Sequence, residues 1–182
     1  MSNRKPMRPK NVALLGISIA LVAAMTTMLV PIPATKGYFN LGEVVIFFLA
    51  FMFGWKEAAI AGAIGAGIID LAVAPVFMPA TLVAKFLEGA TAGLVVSSLK
   101  GVVNVTWVRT LAVGVGGSLM ITTYFLYEWF ILPLGLSESG GLGNALAELP
   151  FNILQVLLCG SIAMLLAVGI TRSYPQIANL LD

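Results

Sequence analysis

Five ionisable residues fall inside long apolar runs of a 182-residue chain that is 59% hydrophobic and 10% charged: Glu43, Asp70, Lys85, Glu88 and Glu128. Charges in such surroundings are costly and mark functional positions by default. What the chain lacks narrows their chemistry. It has no His, the commonest general base and metal ligand. Its one Cys, Cys159, lies within an apolar run, reads as a packing residue and excludes an intrachain disulfide. No GxxxxGK[ST] loop is present, so the chain does not hydrolyse ATP by that route. Asp70 and Glu88 are candidates for a carboxylate pair, but their spacing matches no metal motif. Lys85 and Glu88 stand at i and i+3 and share a helix face with Thr81 and Ala92. Buried together they neutralise one another, or either hydrogen-bonds a ligand. The expectation is a binding site with no catalytic residue, no metal and no cofactor of its own.

These residues must be positioned by membrane helices. Soluble domains are about 45–50% apolar and about 25% charged, and this chain lies far outside that range. Six apolar segments can be marked, at about Val12–Val30, Leu41–Gly54, Ala58–Val73, Ala80–Leu99, Val108–Leu132 and Leu149–Ile170. A full span needs about 20 residues, so the second and third are short. Gly54–Glu57 (GWKE) reads as a tight turn with an interfacial Trp between antiparallel helices. The predicted fold is an all-α bundle of six transmembrane helices in one domain, residues 1–182. A basic tail spans 1–11, the bundle 12–172 and a second tail 173–182.

Lys and Arg set the predicted orientation. Arg4, Lys5, Arg8 and Lys10 precede the first segment, Lys56 lies between the second and third, Lys100 and Arg109 lie between the fourth and fifth, and Arg172 ends the sixth. All fall on one side, and the opposite loops contain Lys36 alone. Both termini are therefore predicted cytoplasmic. The first apolar run is too long for a typical signal-peptide core and no clean A-x-A site follows it, so it reads as a retained helix.

With that orientation the polar residues stop about halfway through the membrane. At a rise of about 1.5 Å per residue, Lys85 and Glu88 lie roughly 7 and 12 Å below the outer start of their helix. Glu43, Asp70 and Glu128 lie near outer helix ends, and Asn152 and Gln155 enter the sixth helix from outside. A channel or proton pump carries polar residues through its whole depth. This pattern instead predicts a cavity open to the outside, sealed below by apolar packing, holding a polar small molecule. Small residues at helical spacing, Gly16/Ala20/Ala24, Ala58/Gly62/Ala66 and Gly89/Gly93, permit close approach within the bundle or to a partner.

The run PIPATKGYFNLGEVVIFFLAFMFGWKEAAIAGAIGAGIIDL, followed by PATLVAKFLEGATAGL, resembles the substrate-binding (S) components of energy-coupling factor transporters. The likeness covers about residues 12–99. It is greatest to the riboflavin-type branch, and the run also resembles the hydroxymethylpyrimidine carriers. Lys85 stands where those carriers tend to have His, and the first-loop motif differs from that of riboflavin carriers proper. The resemblance implies a six-helix protein of the prokaryotic cell membrane that binds a water-soluble vitamin or precursor from outside. It also implies a transmembrane coupling protein and two ATP-binding subunits as partners, so that ATP is used by them. The family's pocket carries over onto Lys36, Tyr38 and Asn40 in the first outer loop, Lys85 and Glu88 on helix four, Glu128 and Trp129 on helix five, and Asn152 and Gln155 on helix six. Glu43 and Asp70 join this set from the depth argument. The family's docking strip on helix one carries over onto Ala20 and Ala24, with Gly16 one turn earlier.

The first loop then reads as a lid, with Gly37 and Gly42 as hinges and with Tyr38 or Trp129 stacking on a planar ring. Two other readings stand beside this one: a membrane enzyme using Asp70 and Glu88, and a scaffold subunit without solute uptake.

Overall fold

A computed structural model describes residues 9–32, 35, 37–134 and 140–174. It contains six α-helices: α1 (Pro9–Thr26), α2 (Gly42–Met52), α3 (Trp55–Val73), α4 (Met78–Leu99), α5 (Val105–Leu126) and α6 (Leu142–Ser173). Two-residue strands β1 (Val30–Pro31) and β2 (Tyr38–Phe39) pair antiparallel between α1 and α2. Apart from that short pair the described elements are all helical, as in a multi-pass membrane protein. Among the described residues four helical stretches are long and apolar enough to cross a bilayer: Pro9–Thr26, Pro75–Leu99, Val105–Ile131 and Leu142–Ser173. The remaining two helices are the ones the sequence marks as short. At about 1.5 Å per residue the 11 residues of α2 reach about half of a hydrocarbon core.

α2 is nevertheless the most enclosed element. Ten of its residues are buried, because it lies against α1, α3, α4 and α6 at once. A helix that is apolar all round is expected inside a bundle. α2 ends at Met52, with Phe53 as its C-cap, and α3 begins after Gly54, whose φ of +88° is a left-handed conformation that only Gly adopts cheaply. This is the predicted GWKE turn.

α3 and α4 approach closely through α4 glycines. A Cβ on Gly89 would stand 2.6 Å from the Ala58 carbonyl, and one on Gly93 would stand 2.4 Å from the Trp55 Cα. Two of the three small-residue strips are thus internal packing surfaces. The third is different: Gly16, Ala20 and Ala24 are exposed on α1, and a Cβ on Gly16 would meet nothing within 4 Å.

Two helix starts differ from the sequence reading. Arg109 is not a loop residue. Asn104 caps α5, its side chain accepting from the Thr106 N–H at 2.9 Å, and Arg109 lies inside the helix, buried with its guanidinium 5.6 Å from the Phe51 ring centroid. α6 begins at Leu142, seven residues before the expected start, and runs on through Pro150. Pro favours a first turn, so Leu149–Pro150 reads as a helix start although it is not one. At about 48 Å, α6 is longer than a hydrocarbon core of about 30 Å. Its first turns therefore extend beyond the bilayer or the helix tilts. That extension brings Glu148 into the helix.

Candidate ligand site

The site is built at the end of the bundle that carries the β1–β2 hairpin. Its base is an ion cluster across three helices. The Lys85 Nζ on α4 is 2.5 Å from Glu43 Oε1 on α2 and 3.2 Å from Glu88 Oε2 one turn along α4. The Gln155 amide on α6 donates to the same Glu43 oxygen at 2.5 Å. All three charged groups are essentially sealed: Lys85 is 2% exposed, and Glu43 and Glu88 are 0%. The expected Lys85–Glu88 pair is therefore a triad, with Glu43 the nearer carboxylate. Glu43 Oε2 and Glu88 Oε1 have no hydrogen-bond partner among the described residues.

A second cluster stands beside it. Thr81 donates to the Asp70 carboxylate and shares a 2.7 Å hydrogen bond with the Tyr124 hydroxyl. The Tyr124 ring centroid is 5.7 Å from Lys85 Nζ, so α3, α4 and α5 meet through one polar network. The hairpin closes over these groups. The Asn40 N–H donates to Gln155 Oε1 at 2.8 Å, and the Gly37 N–H donates to Glu148 Oε1 at 3.1 Å. Gln155 thus joins the hairpin to the buried triad. The Asn40 side chain turns the chain into α2 by accepting from the Gly42 N–H at 2.9 Å.

Between hairpin and triad lies a cavity with an empty volume of about 430 Å³, counting the part open to solvent. Of the residues expected in a site, Tyr38, Asn40, Asp70, Lys85, Asn152 and Gln155 line it. Glu43 and Glu88 do not reach its wall and act through Lys85. Lys36 lies outside the described residues.

Glu128 and Trp129 part company. Tyr127–Ile131 forms a π-helical turn at the end of α5, and π turns are frequent at functional sites because one extra residue re-aims the side chains. Here Glu128 is buried at 1% exposure beside the Glu148 carboxyl. Neither Glu128 oxygen has a hydrogen-bond partner of ordinary geometry among the described residues. Trp129 faces outward, its ring stacked on Phe130 at 4.3 Å and edge-on to Phe125 at 5.8 Å. The expectation of Trp129 over a ligand ring is not met. The aromatic walls are Tyr38, Phe77 and Tyr124.

Sequence reasoning did not single out Thr26, Phe77, Tyr124 or Glu148, or list Thr81 as a site residue, although all five line the cavity. Two carried a usable signal, since Thr81 lies one turn before Lys85 and Tyr124 one turn before Glu128. Glu148 was hidden by the misplaced start of α6. Among the described residues no three of Asp, Glu and Cys gather as a metal-holding group. Asp70 and Glu88 take separate hydrogen-bond partners, Thr81 and Lys85.

A helical bundle enclosing a small polar cavity at one end, with apolar packing around α2 beyond it, defines a membrane protein that holds a small molecule. The model of the family "ECF-type riboflavin transporter, S component" matches residues 7–172. The chain belongs to this family, and so is a substrate-binding subunit of a transporter. A Pyrococcus woesei protein described as "Uncharacterized protein in gap 3'region" is 33% identical over 135 residues, 73% of this chain and 83% of that protein.

Proposed function

We propose that this chain is the solute-capture subunit of an energy-coupling factor importer. It takes a water-soluble vitamin or vitamin precursor into the cavity beneath the β1–β2 hairpin and hands it on with an ATP-driven partner module. Family membership implies that module, one coupling protein and two ATP-binding subunits, because S components rely on partner ATPases. The observation that carries the reading is the polar cavity at the hairpin end, backed by a sealed ion triad.

In this reading the hairpin end faces outward, both termini are cytoplasmic, and residues 1–182 act as one membrane domain. The hairpin is a lid tied to α6 by hydrogen bonds that include Gly37 to Glu148, Asn40 to Gln155 and the Cys159 thiol to the Asn40 carbonyl. A few bonds worth about 1 kcal/mol each hold a lid reversibly. The Asn152 and Gln155 amides and the Asp70 carboxylate supply the few placed polar contacts that orient a ligand in a pocket. The exposed strip of Gly16, Ala20 and Ala24 is the surface offered to the coupling protein.

Native mass spectrometry of the purified chain tests capture directly. The expected result is a stoichiometric small molecule released on activation, whose mass identifies it. A chain that is repeatedly empty when prepared from rich medium, and that shows no thermal shift with any vitamin, would favour a scaffold instead.

A further inference from the structure

The sign of charge around the cavity constrains what enters it. Five carboxyl groups, those of Glu43, Asp70, Glu88, Glu128 and Glu148, gather at this end of the bundle, each no more than 4% exposed. Among the described residues one cation, Lys85, sits with them. The other buried cation, Arg109, lies over Phe51, the tenth residue of α2 and so far along it from Glu43. Carboxyls therefore outnumber ammonium groups by four, and by three even if Lys36 is granted to the cluster.

A buried carboxylate is tolerated when it is paired, or else it takes up a proton. Lys85 balances one carboxylate of its triad, and the second needs a proton or a further cation. Asp70 and Glu148 reach the cavity wall, and the buried Glu128 carboxyl stands against the Glu148 carboxyl with no cation on either among the described residues. Lys85 is no anion hook, because Glu43 and Glu88 hold its Nζ and the Tyr124 ring lies 5.7 Å from it. The remaining wall includes the rings of Tyr38 and Phe77, and aromatic faces attract cations. Among the described residues the wall carries two carboxyl groups, Asp70 and Glu148, and no cation besides the already paired Lys85. A cation bound between the Asp70 and Glu148 carboxyl groups supplies the partner that lets them stay ionised, where Coulomb attraction is least screened.

Resting on the capture reading above, we propose that the ligand is a small organic cation, an ammonium, an amidinium or a protonated or quaternary heteroaromatic nitrogen. Asp70 and Glu148 hold its charge, and Tyr38 and Phe77 pack against its apolar part.

The test is isothermal titration of the full chain in nanodiscs with five probes: thiamine and choline as cations, riboflavin as a neutral flavin, pantothenate and biotin as anions. One cation is expected to bind at least tenfold more tightly than the neutral and anionic probes. Asp70→Asn and Glu148→Gln are each expected to weaken it by about 10- to 100-fold, the range for a charged hydrogen bond. Both variants keep an acceptor for their present partners, and an unchanged thermal transition without ligand verifies that they fold. Tightest binding of riboflavin or an anion overturns the cation assignment and leaves solute capture standing. Tight cation binding that both variants retain overturns the roles of Asp70 and Glu148. A folded chain that binds none of the five counts against both the cation assignment and capture.

Discussion

Removing an ammonium group from water costs several kcal/mol unless carboxylates replace the lost hydration. Glu43 does this for Lys85 at 2.5 Å and Glu88 at 3.2 Å. The sequence pairs Lys85 with Glu88 because the two share a helix face, and that pairing holds. It gives no sign of Glu43 as the nearer partner, since 42 residues separate Glu43 from Lys85 and only packing of α2 on α4 brings them together. The consequence is a changed expectation for mutation. On sequence alone, Lys85→Ala removes a ligand contact and leaves the fold intact. With the triad, Lys85→Met strands two buried carboxylates and is expected to cost about 3–5 kcal/mol, read as a large drop in the thermal transition in detergent. Adding Glu43→Gln and Glu88→Gln removes the stranded charges and is expected to recover most of that loss. A Lys85→Met protein as stable as the parent would show that the triad contributes nothing to the fold.

At the scale of elements, the helices and their order are legible because 3.6-residue packing and membrane length leave few alternatives. Where the reading fails, a single residue changed the local rule. Pro150 imitates a helix start within α6. Glu128 and Trp129 are neighbours whose side chains point about 100° apart around a helix, and packing, which sequence does not show, decides which of them faces inward. The small-residue strips show a further limit, since spacing marks all three alike and burial alone sorts them. Gly89 seats against the Ala58 backbone, which cannot yield as a side chain can, so Gly89→Val is expected to destabilise by about 1–3 kcal/mol through overpacking. Gly16→Val, on a face with nothing within 4 Å, is expected to shift the melting temperature little. Parallel thermal unfolding of the two variants in one detergent checks this. Equal losses would mean that the α1 strip is packed internally as tightly as the α4 strip.

For the whole molecule, the site and the exposed strip are different parts of one bundle, and this makes their roles separable. The hairpin, α3, α4, α5 and α6 line the cavity, and of α1 the described lining includes only Thr26, at its last turn. α1 meets the bundle through Ser18, which donates to Glu57 of α3 at 2.8 Å, and through Val22, 0% exposed. Gly16, Ala20 and Ala24 lie off that contact line, on the open side. Enlarging them should therefore leave ligand capture unchanged while disturbing any helix that must come close. Small-residue strips allow two backbones to approach, and one bulky side chain separates them. A Gly16→Leu/Ala20→Leu/Ala24→Leu protein is expected to bind its ligand within about threefold of the parent, which is under 1 kcal/mol. The same protein is expected to lose co-purification with the coupling protein and ATP-binding subunits, and with it ATP-dependent uptake in a cell expressing all four chains. If uptake persists, the coupling protein docks on some other face. If ligand binding is lost as well, α1 supports the cavity, and capture and docking cannot be separated on this helix.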